Sequence, residues 1–162
     1  MGGVIIGGPS IRVLGASAVP ASTTGDTVEN TLATVTIPAG AMGLNGIIRV
    51  TATWAYTNSA NTKTLRARFS GAAGTIFMNL APTTSASARE QRQFANSNSV
   101  SSQRYQIAAG GNATGGWATG SGAILTSAVD TSATTTIVFT GQNGLGSETI
   151  TLDSYLVELI LP

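Results

Sequence analysis

Apolar and polar side chains alternate along much of the chain, and this alternation predicts β-strands. In the run IIRVTATWAYTNS the apolar residues occupy every second position: Ile48, Val50, Ala52, Trp54 and Tyr56. The run KTLRARFS alternates in the same way, with Leu65, Ala67 and Phe69 against Thr64, Arg66 and Arg68. Because successive side chains of a strand point to opposite faces, each run predicts a strand with one buried and one wet face. Only a short polar turn at residues 58–61 separates the two runs, which predicts a hairpin.

Other strand-like runs follow along the chain: VENTLATVTIP, TIFMNLA, TTTIVFTG and SETITLDSYLVELILP. In TIFMNLA, Ile76, Met78 and Leu80 share one side. In the last run the apolar phase shifts by one residue near Asp153 and Ser154, which predicts a β-bulge. Beyond this point the run is apolar on both faces except for Glu158, so we expect it to lie centrally in a sheet or at a subunit interface.

Two segments in the second half of the chain have less regular patterns. Residues 88–108 alternate long polar side chains and predict two strands of a largely wetted sheet; a helix over residues 89–95 is the competing prediction, because Arg, Glu and Gln favour helices. The following stretch AAGGNATGGWATGSG is too rich in glycine to hold regular structure and predicts a loop.

Taken together, these runs predict eight to ten strands and no amphipathic helix. The fold class is therefore all-β, and we expect an antiparallel β-sandwich of jelly-roll type. Residues 1–27 are rich in Gly, Ser, Ala and Thr with only short apolar pieces, and they predict an extended N-terminal arm that docks on a partner. Residues 28–162 predict a single sandwich domain.

Charge is scarce in this sequence. Charged residues make up 9% of the chain, against about 25% in ordinary soluble domains, and the net charge is +1. We therefore expect neither nucleic acid nor membrane lipid as a partner, and no apolar run is long enough to span a bilayer. A surface so poor in Lys and Glu resembles oligomer interfaces, where these residues are depleted.

The residue types needed for common catalytic chemistry are missing or scattered. The chain has no histidine and no cysteine, which excludes Ser-His and Cys-His pairs and thiolate metal sites. The seven acidic residues form no cluster in the sequence that would indicate a calcium or magnesium site. A glycosidase needs only two facing carboxylates, and the sequence does not exclude such a pair. We nevertheless predict a protein that is not an enzyme, without metal or cofactor.

Three groups of residues are candidates for partner binding. Arg66 and Arg68 share the wet face of their strand and could contact an acidic partner, or only form its solvated face. Trp117, which lies among glycines, could stack on a sugar or fill a partner's pocket, or fold back on its own core. The apolar residues of the arm could dock on a partner's sheet edge; they are Val4, Ile5, Ile6, Ile11, Val13 and Leu14.

The run ENTLATVTIPAGAMGLNGIIRVTATWAYTNSANTKTLRARFSG, with TIFMNL and the closing ETITLDSYLVELILP, resembles small virion structural proteins of tailed bacteriophages. The shared features are a strand ending in IPAG, an MG-x-NG turn, a W-x-Y-T-N-S strand and an outward-facing arginine strand. The resemblance begins near Val28.

What the resemblance implies is a jelly-roll subunit, commonly trimeric, displayed on the virion. The first expectation is a capsid decoration or cement protein that binds the major capsid protein, on the phage head rather than the tail. The alternative is a head-fibre or tail-fibre adhesion domain that binds host glycans through Trp117. Deleting the arm should abolish binding in the first case, and Trp117→Ala should abolish it in the second.

Overall fold

The computed structural model describes residues 8–105 and 124–162, which form eleven strands. They are β1 (Ser10–Ser17), β2 (Ala21–Thr24), β3 (Asn30–Ile37), β4 (Ile47–Tyr56), β5 (Thr64–Phe69), β6 (Thr75–Leu80), β7 (Ser87–Asn96), β8 (Gln103–Tyr105), β9 (Leu125–Ser127), β10 (Thr135–Gln142) and β11 (Thr149–Leu161).

These strands form two antiparallel sheets. The larger, seven-stranded sheet has the order β1-β11-β4-β7-β8-β9, and β2 also pairs with β11, beyond the end of β1. The smaller sheet has the order β3-β10-β5-β6. Each of the strands β3, β4 and β5 lies in the opposite sheet from the strand before it. The chain crosses again from β6 to β7, from β9 to β10 and from β10 to β11. This alternation gives a jelly-roll-like antiparallel sandwich and confirms the predicted fold class.

The core lies between the sheets and follows the predicted phase. In β4 the side chains at even positions from Ile48 to Tyr56 are buried, and those at odd positions are only half-buried. In β5 the apolar side chains are likewise buried, opposite Arg66 and Arg68. Aromatic rings link the layers: Trp54 of the larger sheet lies 6.4 Å from Phe139 of the smaller one, measured between ring centroids. In β6 the phase is less regular, since the neighbours Phe77 and Met78 are both buried beside a shift in register.

The predicted hairpin between β4 and β5 is wrong. Strand β4 pairs with β11 and β7, whereas β5 pairs with β10 and β6 in the opposite sheet. The segment between them therefore crosses from one sheet to the other. Each strand has one apolar face, and placing the two strands in opposite layers lets these faces pack against each other across the sandwich core. The alternation of side chains is the same in either arrangement.

The N-terminal region takes part in the sandwich. Strands β1 and β2 both pair with β11 along one edge of the larger sheet, so residues 10–24 belong to the same sheet as the rest of the domain. The boundary predicted at residue 28 falls in the connection between β2 and β3. Docking of residues 1–27 on another protein stays a prediction.

Two further predictions can be compared with the strands. The register of β11 shifts between Leu152 and Ser154, which confirms the predicted bulge. β11 lies between β4 on one side and β1 and β2 on the other, as expected for a strand that is apolar on both faces. Residues 89–95 lie in strand β7, so the competing helix prediction is wrong.

Candidate functional site

Strand β1 is an edge strand with exposed apolar side chains. Within the described residues it pairs only with β11, so its other edge is open. Ile11 and Val13 are 60% and 57% exposed. Leu14 lies at a shift in register and packs against the core, so it does not belong to this surface. An open edge with apolar side chains is a favourable template for pairing with another chain.

The apolar character continues from β1 across the outer face of the larger sheet. Ile11 is paired with Ile160, and Ile160 with Ile47, so the three isoleucines form a row over neighbouring strands. In the next row Val13 is paired with Glu158, whose carboxylate lies 2.8 Å from Nε of Arg49. The charges in this row neutralise each other. We call Ile11, Val13, Ile47 and Ile160 the edge patch.

Arg66 and Arg68 are tied to a single carboxylate on the outer face of the smaller sheet. The Arg68 guanidinium donates to both oxygens of Glu29, with Nε and Nη2 each at 2.8 Å. Arg66 Nη1 lies 2.5 Å from Glu29 Oε2, and Thr140 Oγ1 donates to Oε1. The pKa of Glu29 is lowered to about 2, mainly by the hydrogen bond from Arg68. The hydrogen bond from Thr140 and the positive charge of Arg66 lower it further. An acidic partner would have to compete with Glu29 for these two guanidiniums.

A buried lysine lies at one end of the sandwich. Lys63 is fully buried, and its ammonium donates to Ser59 Oγ at 2.7 Å and to the carbonyl oxygen of Asn61 at 2.8 Å. Its carboxylate partner, Glu148, also accepts hydrogen bonds from Ser59 Oγ, Asn61 Nδ2 and the backbone nitrogen of Leu145. The hydrogen bond from Ser59 is the main cause that lowers the pKa of Glu148 to about 2. All polar groups of this cluster satisfy one another, which indicates a structural role.

A cleft of about 510 Å³ lies along β7 next to the last described residues of β8. Among the described residues, the polar ones that line it are Gln91, Arg92, Gln93, Arg104 and Tyr105. Burial raises the pKa of Tyr105, so this phenol is neutral at physiological pH. The apolar lining consists of Ile47, Phe94, Ala95 and Ile124. The volume of the cleft lies in the range of small-molecule sites, but its described lining is more polar than theirs usually is.

Beneath this cleft lies a buried ion pair. Glu90 and Arg92 share the inward phase of β7 with Phe94, and their side chains are in contact. Glu90 is 2% exposed, and burial raises the pKa of its carboxyl group against the opposing effect of Arg92. Within the described residues, Arg92 Nε is buried without a hydrogen-bond partner.

Several sequence predictions lie outside the described residues or find no counterpart among them. Val4, Ile5, Ile6 and Trp117 lie outside the described ranges. Within those ranges, no three Asp or Glu side chains come together as metal ligands would. The same part of the chain has no helix long and apolar enough to cross a membrane. That the protein is not an enzyme stays a prediction.

The sequence analysis missed Glu29, Arg92 and Arg104. Glu29 lies 37 residues from Arg66, and no local pattern connects them. The position of Arg92 could have been predicted, because it lies two residues before Phe94 and therefore on the same face of β7. A phenylalanine that is expected to be buried indicates that this face points inward. The position of Arg104 could not, because its neighbours across the strand pair follow from the register between β7 and β8.

Comparison with known proteins gives no family. No protein-family model matches the chain, and no curated protein sequence matches it. Among solved structures, the chain is similar to the CBM2 module of the evolved Dit of Lactobacillus casei BL23 phage J-1, with 15% identity and a TM-score of 0.36 over 78% of this chain and 68% of that one. It is also similar to a structure of infectious bursal disease virus, Gx strain, with 13% identity and a TM-score of 0.31 over 94% of this chain.

A crystal structure of the VP2 subviral particle of infectious bursal disease virus matches with 13% identity and a TM-score of 0.26. The chain spans 40% and 39% of the two bursal disease virus chains, which is less than two thirds of their length. At scores this low, the likenesses assign neither a family nor a function to the chain.

Proposed function

We propose that this protein is a non-enzymatic virion structural protein of a tailed bacteriophage, and that it decorates the capsid and stabilises it. The sequence resemblance supports the phage origin. The observation that carries the docking role is the open edge of β1, with Ile11 and Val13 more than half exposed. A protein that binds only the assembled lattice stabilises it by mass action.

The edge patch is the surface proposed to meet the major capsid protein. An added strand would satisfy the free backbone groups of β1, while its side chains would cover Ile11 and Val13. The ion pair between Arg49 and Glu158 is internally neutral, so the patch needs no charged partner. The apolar residues Val4, Ile5 and Ile6 lie just before β1 in the sequence, separated from it by residues 7–9, and are proposed to add to the same contact.

The proposed oligomer is a closed homotrimer. Its support is the low content of Lys and Glu, which resembles that of subunit interfaces. Light scattering of the purified chain should give three times its mass of 16.3 kDa. A monomer at micromolar concentration would exclude the trimer.

Co-sedimentation with empty phage capsids tests the docking proposal. The double variant Ile11→Ser with Val13→Ser should lose binding, because it removes apolar contact area without touching the core. Val28→Ser is the matched control, since Val28 is 63% exposed but lies in the connection between β2 and β3. Deleting residues 1–9 should also weaken binding while keeping all eleven described strands. Unchanged sedimentation of both the double variant and the deletion would overturn the proposal.

A further inference from the structure

Strand β1 carries a cation on the face opposite the edge patch. Arg12 is paired with Leu159, which is buried in the core, so these two side chains lie on the inward face of the larger sheet. Arg12 is nevertheless exposed, so the smaller sheet does not cover β1 at this position. The guanidinium of Arg12 therefore lies at the rim of the sandwich, beside the open edge of β1.

Arg12 forms an ion pair with no acidic side chain of the chain. All seven acidic side chains of the sequence belong to the described residues. None of the ion pairs in this part of the chain includes Arg12. One uncompensated positive charge thus lies at the strand edge where a partner is proposed to bind.

The two faces of β1 differ in the partner that they favour. On the outer face Ile11 and Val13 are exposed, and the charges of the adjoining row, Arg49 and Glu158, pair with each other. On the other face Arg12 presents a guanidinium, whose planar set of N–H donors matches a carboxylate. A strand that pairs with β1 therefore meets apolar side chains on one face and a cation on the other.

The register of β1 limits this contact to a short segment. From Ser10 to Val13 the strand pairs with β11 without interruption, and the register shifts between Val13 and Gly15. A bulge bends its strand and disrupts regular pairing, so an added strand would align with the segment before the shift. Because side chains alternate, the residue opposite Arg12 is flanked in its own sequence by residues that face Ile11 and Val13.

We propose that the partner segment that pairs with β1 has an acidic residue between two apolar residues and that Arg12 binds its carboxylate; this rests on the proposed docking of β1 on the major capsid protein. Oppositely charged residues on paired strands stabilise the pairing. An apolar segment without the acidic residue would desolvate Arg12 and leave it unpaired, which is unfavourable. Arg12 thus selects among the apolar segments that could cover Ile11 and Val13.

Co-sedimentation with empty phage capsids at several salt concentrations tests the role of Arg12. Arg12→Gln should weaken binding about fivefold, as expected for the loss of an ion pair at the rim of an interface. Arg12→Glu should bind more weakly still, because it opposes two carboxylates. Arg12→Gln should also make binding less sensitive to salt, since going from about 0.1 M to about 1 M shortens the Debye length from about 10 Å to about 3 Å.

Arg89→Gln is the matched control for the change in charge. Arg89 is exposed and takes part in no ion pair of the described residues, but it lies on β7, three strand positions away from β1. This variant should keep the affinity and the salt dependence of the unmodified chain. An equal loss for Arg89→Gln and Arg12→Gln would overturn the proposal, because binding would then depend on surface charge in general.

Further outcomes separate the role of Arg12 from the docking of β1. If Ile11→Ser with Val13→Ser loses binding while Arg12→Gln keeps full affinity, β1 docks but Arg12 does not select the partner, and the proposal is wrong. If that double variant and the deletion of residues 1–9 both keep full binding, the docking itself is wrong. Self-association of Arg12→Gln in light scattering, without weaker capsid binding, would also overturn the proposal, because the arginine would then serve to keep strand edges apart.

Discussion

Lys63 and Glu148 form an ion pair that is almost completely shielded from solvent. Their charged atoms lie 3.5 Å apart, and the side chains are 0% and 3% exposed. The pair joins the crossing between β4 and β5 to the connection between β10 and β11. It therefore ties together two connections that pass between the sheets at the same end of the sandwich.

Breaking this pair should destabilise the protein strongly. Lys63→Met keeps the aliphatic bulk but leaves the buried carboxylate of Glu148 without its cation, and an unpaired buried charge is costly. Arg49→Met is the control, because it breaks the pair with Glu158, in which Arg49 is 30% exposed. In urea unfolding, the midpoint of Lys63→Met should fall well below that of Arg49→Met. Equal midpoints would contradict the structural role of the buried pair.

Glu29 should make stability depend on pH in acid. Its pKa is lowered from 4.5 to about 2, chiefly by the hydrogen bond from Arg68. The folded state thus keeps the carboxylate charged at a pH where the unfolded chain takes up a proton, so this contribution is present above pH 4.5 and is lost as the pH falls towards 2. Glu29→Gln should lower the unfolding free energy at pH 7. On acidification the variant should lose less unfolding free energy than the unmodified protein, so that the two plots of unfolding free energy against pH converge near pH 2. Parallel curves from urea unfolding at each pH would refute this.

The sequence predicted the sandwich because a strand alternates the same way wherever it pairs. The buried phase of β4 and β5 and the bulge of β11 are local features, and each was visible in a few neighbouring residues. The partner of each strand was not visible. β4 and β5 have the pattern of a hairpin, yet their backbone hydrogen bonds go to strands that are distant in sequence, such as β11 and β10.

In the candidate sites, too, the contacts between distant parts of the chain could not be predicted from the sequence. Arg66 and Arg68 were correctly placed on an outer face, but Glu29 lies in another part of the chain. The two residues were considered as a contact for an acidic partner, and the structure gives them an acidic partner within the chain. Ion pairs of this kind follow from strand order, which the local alternation does not encode.

The extent of an N-terminal deletion should decide whether the protein folds. Removing residues 1–9 leaves every described strand, so unfolding in urea should change little. Removing residues 1–27 also removes β1 and β2, and it exposes one edge of β11 along most of its length. This longer deletion should aggregate or unfold, because it frees a long apolar strand edge. A soluble, cooperatively folded product from the longer deletion would mean that β1 and β2 are dispensable for the sandwich.

Trp54 should matter for its volume and not for its indole nitrogen. The side chain is fully buried next to Phe139, and its Nε1 has no hydrogen-bond partner within the described residues. Trp54→Ala should therefore cost about 3–5 kcal/mol of unfolding free energy through the cavity that it leaves. Trp54→Phe keeps an aromatic ring and loses no hydrogen bond, so it should cost well under half as much. Urea unfolding of both variants measures the difference, and a similar loss for both would indicate that the indole nitrogen binds a buried partner after all.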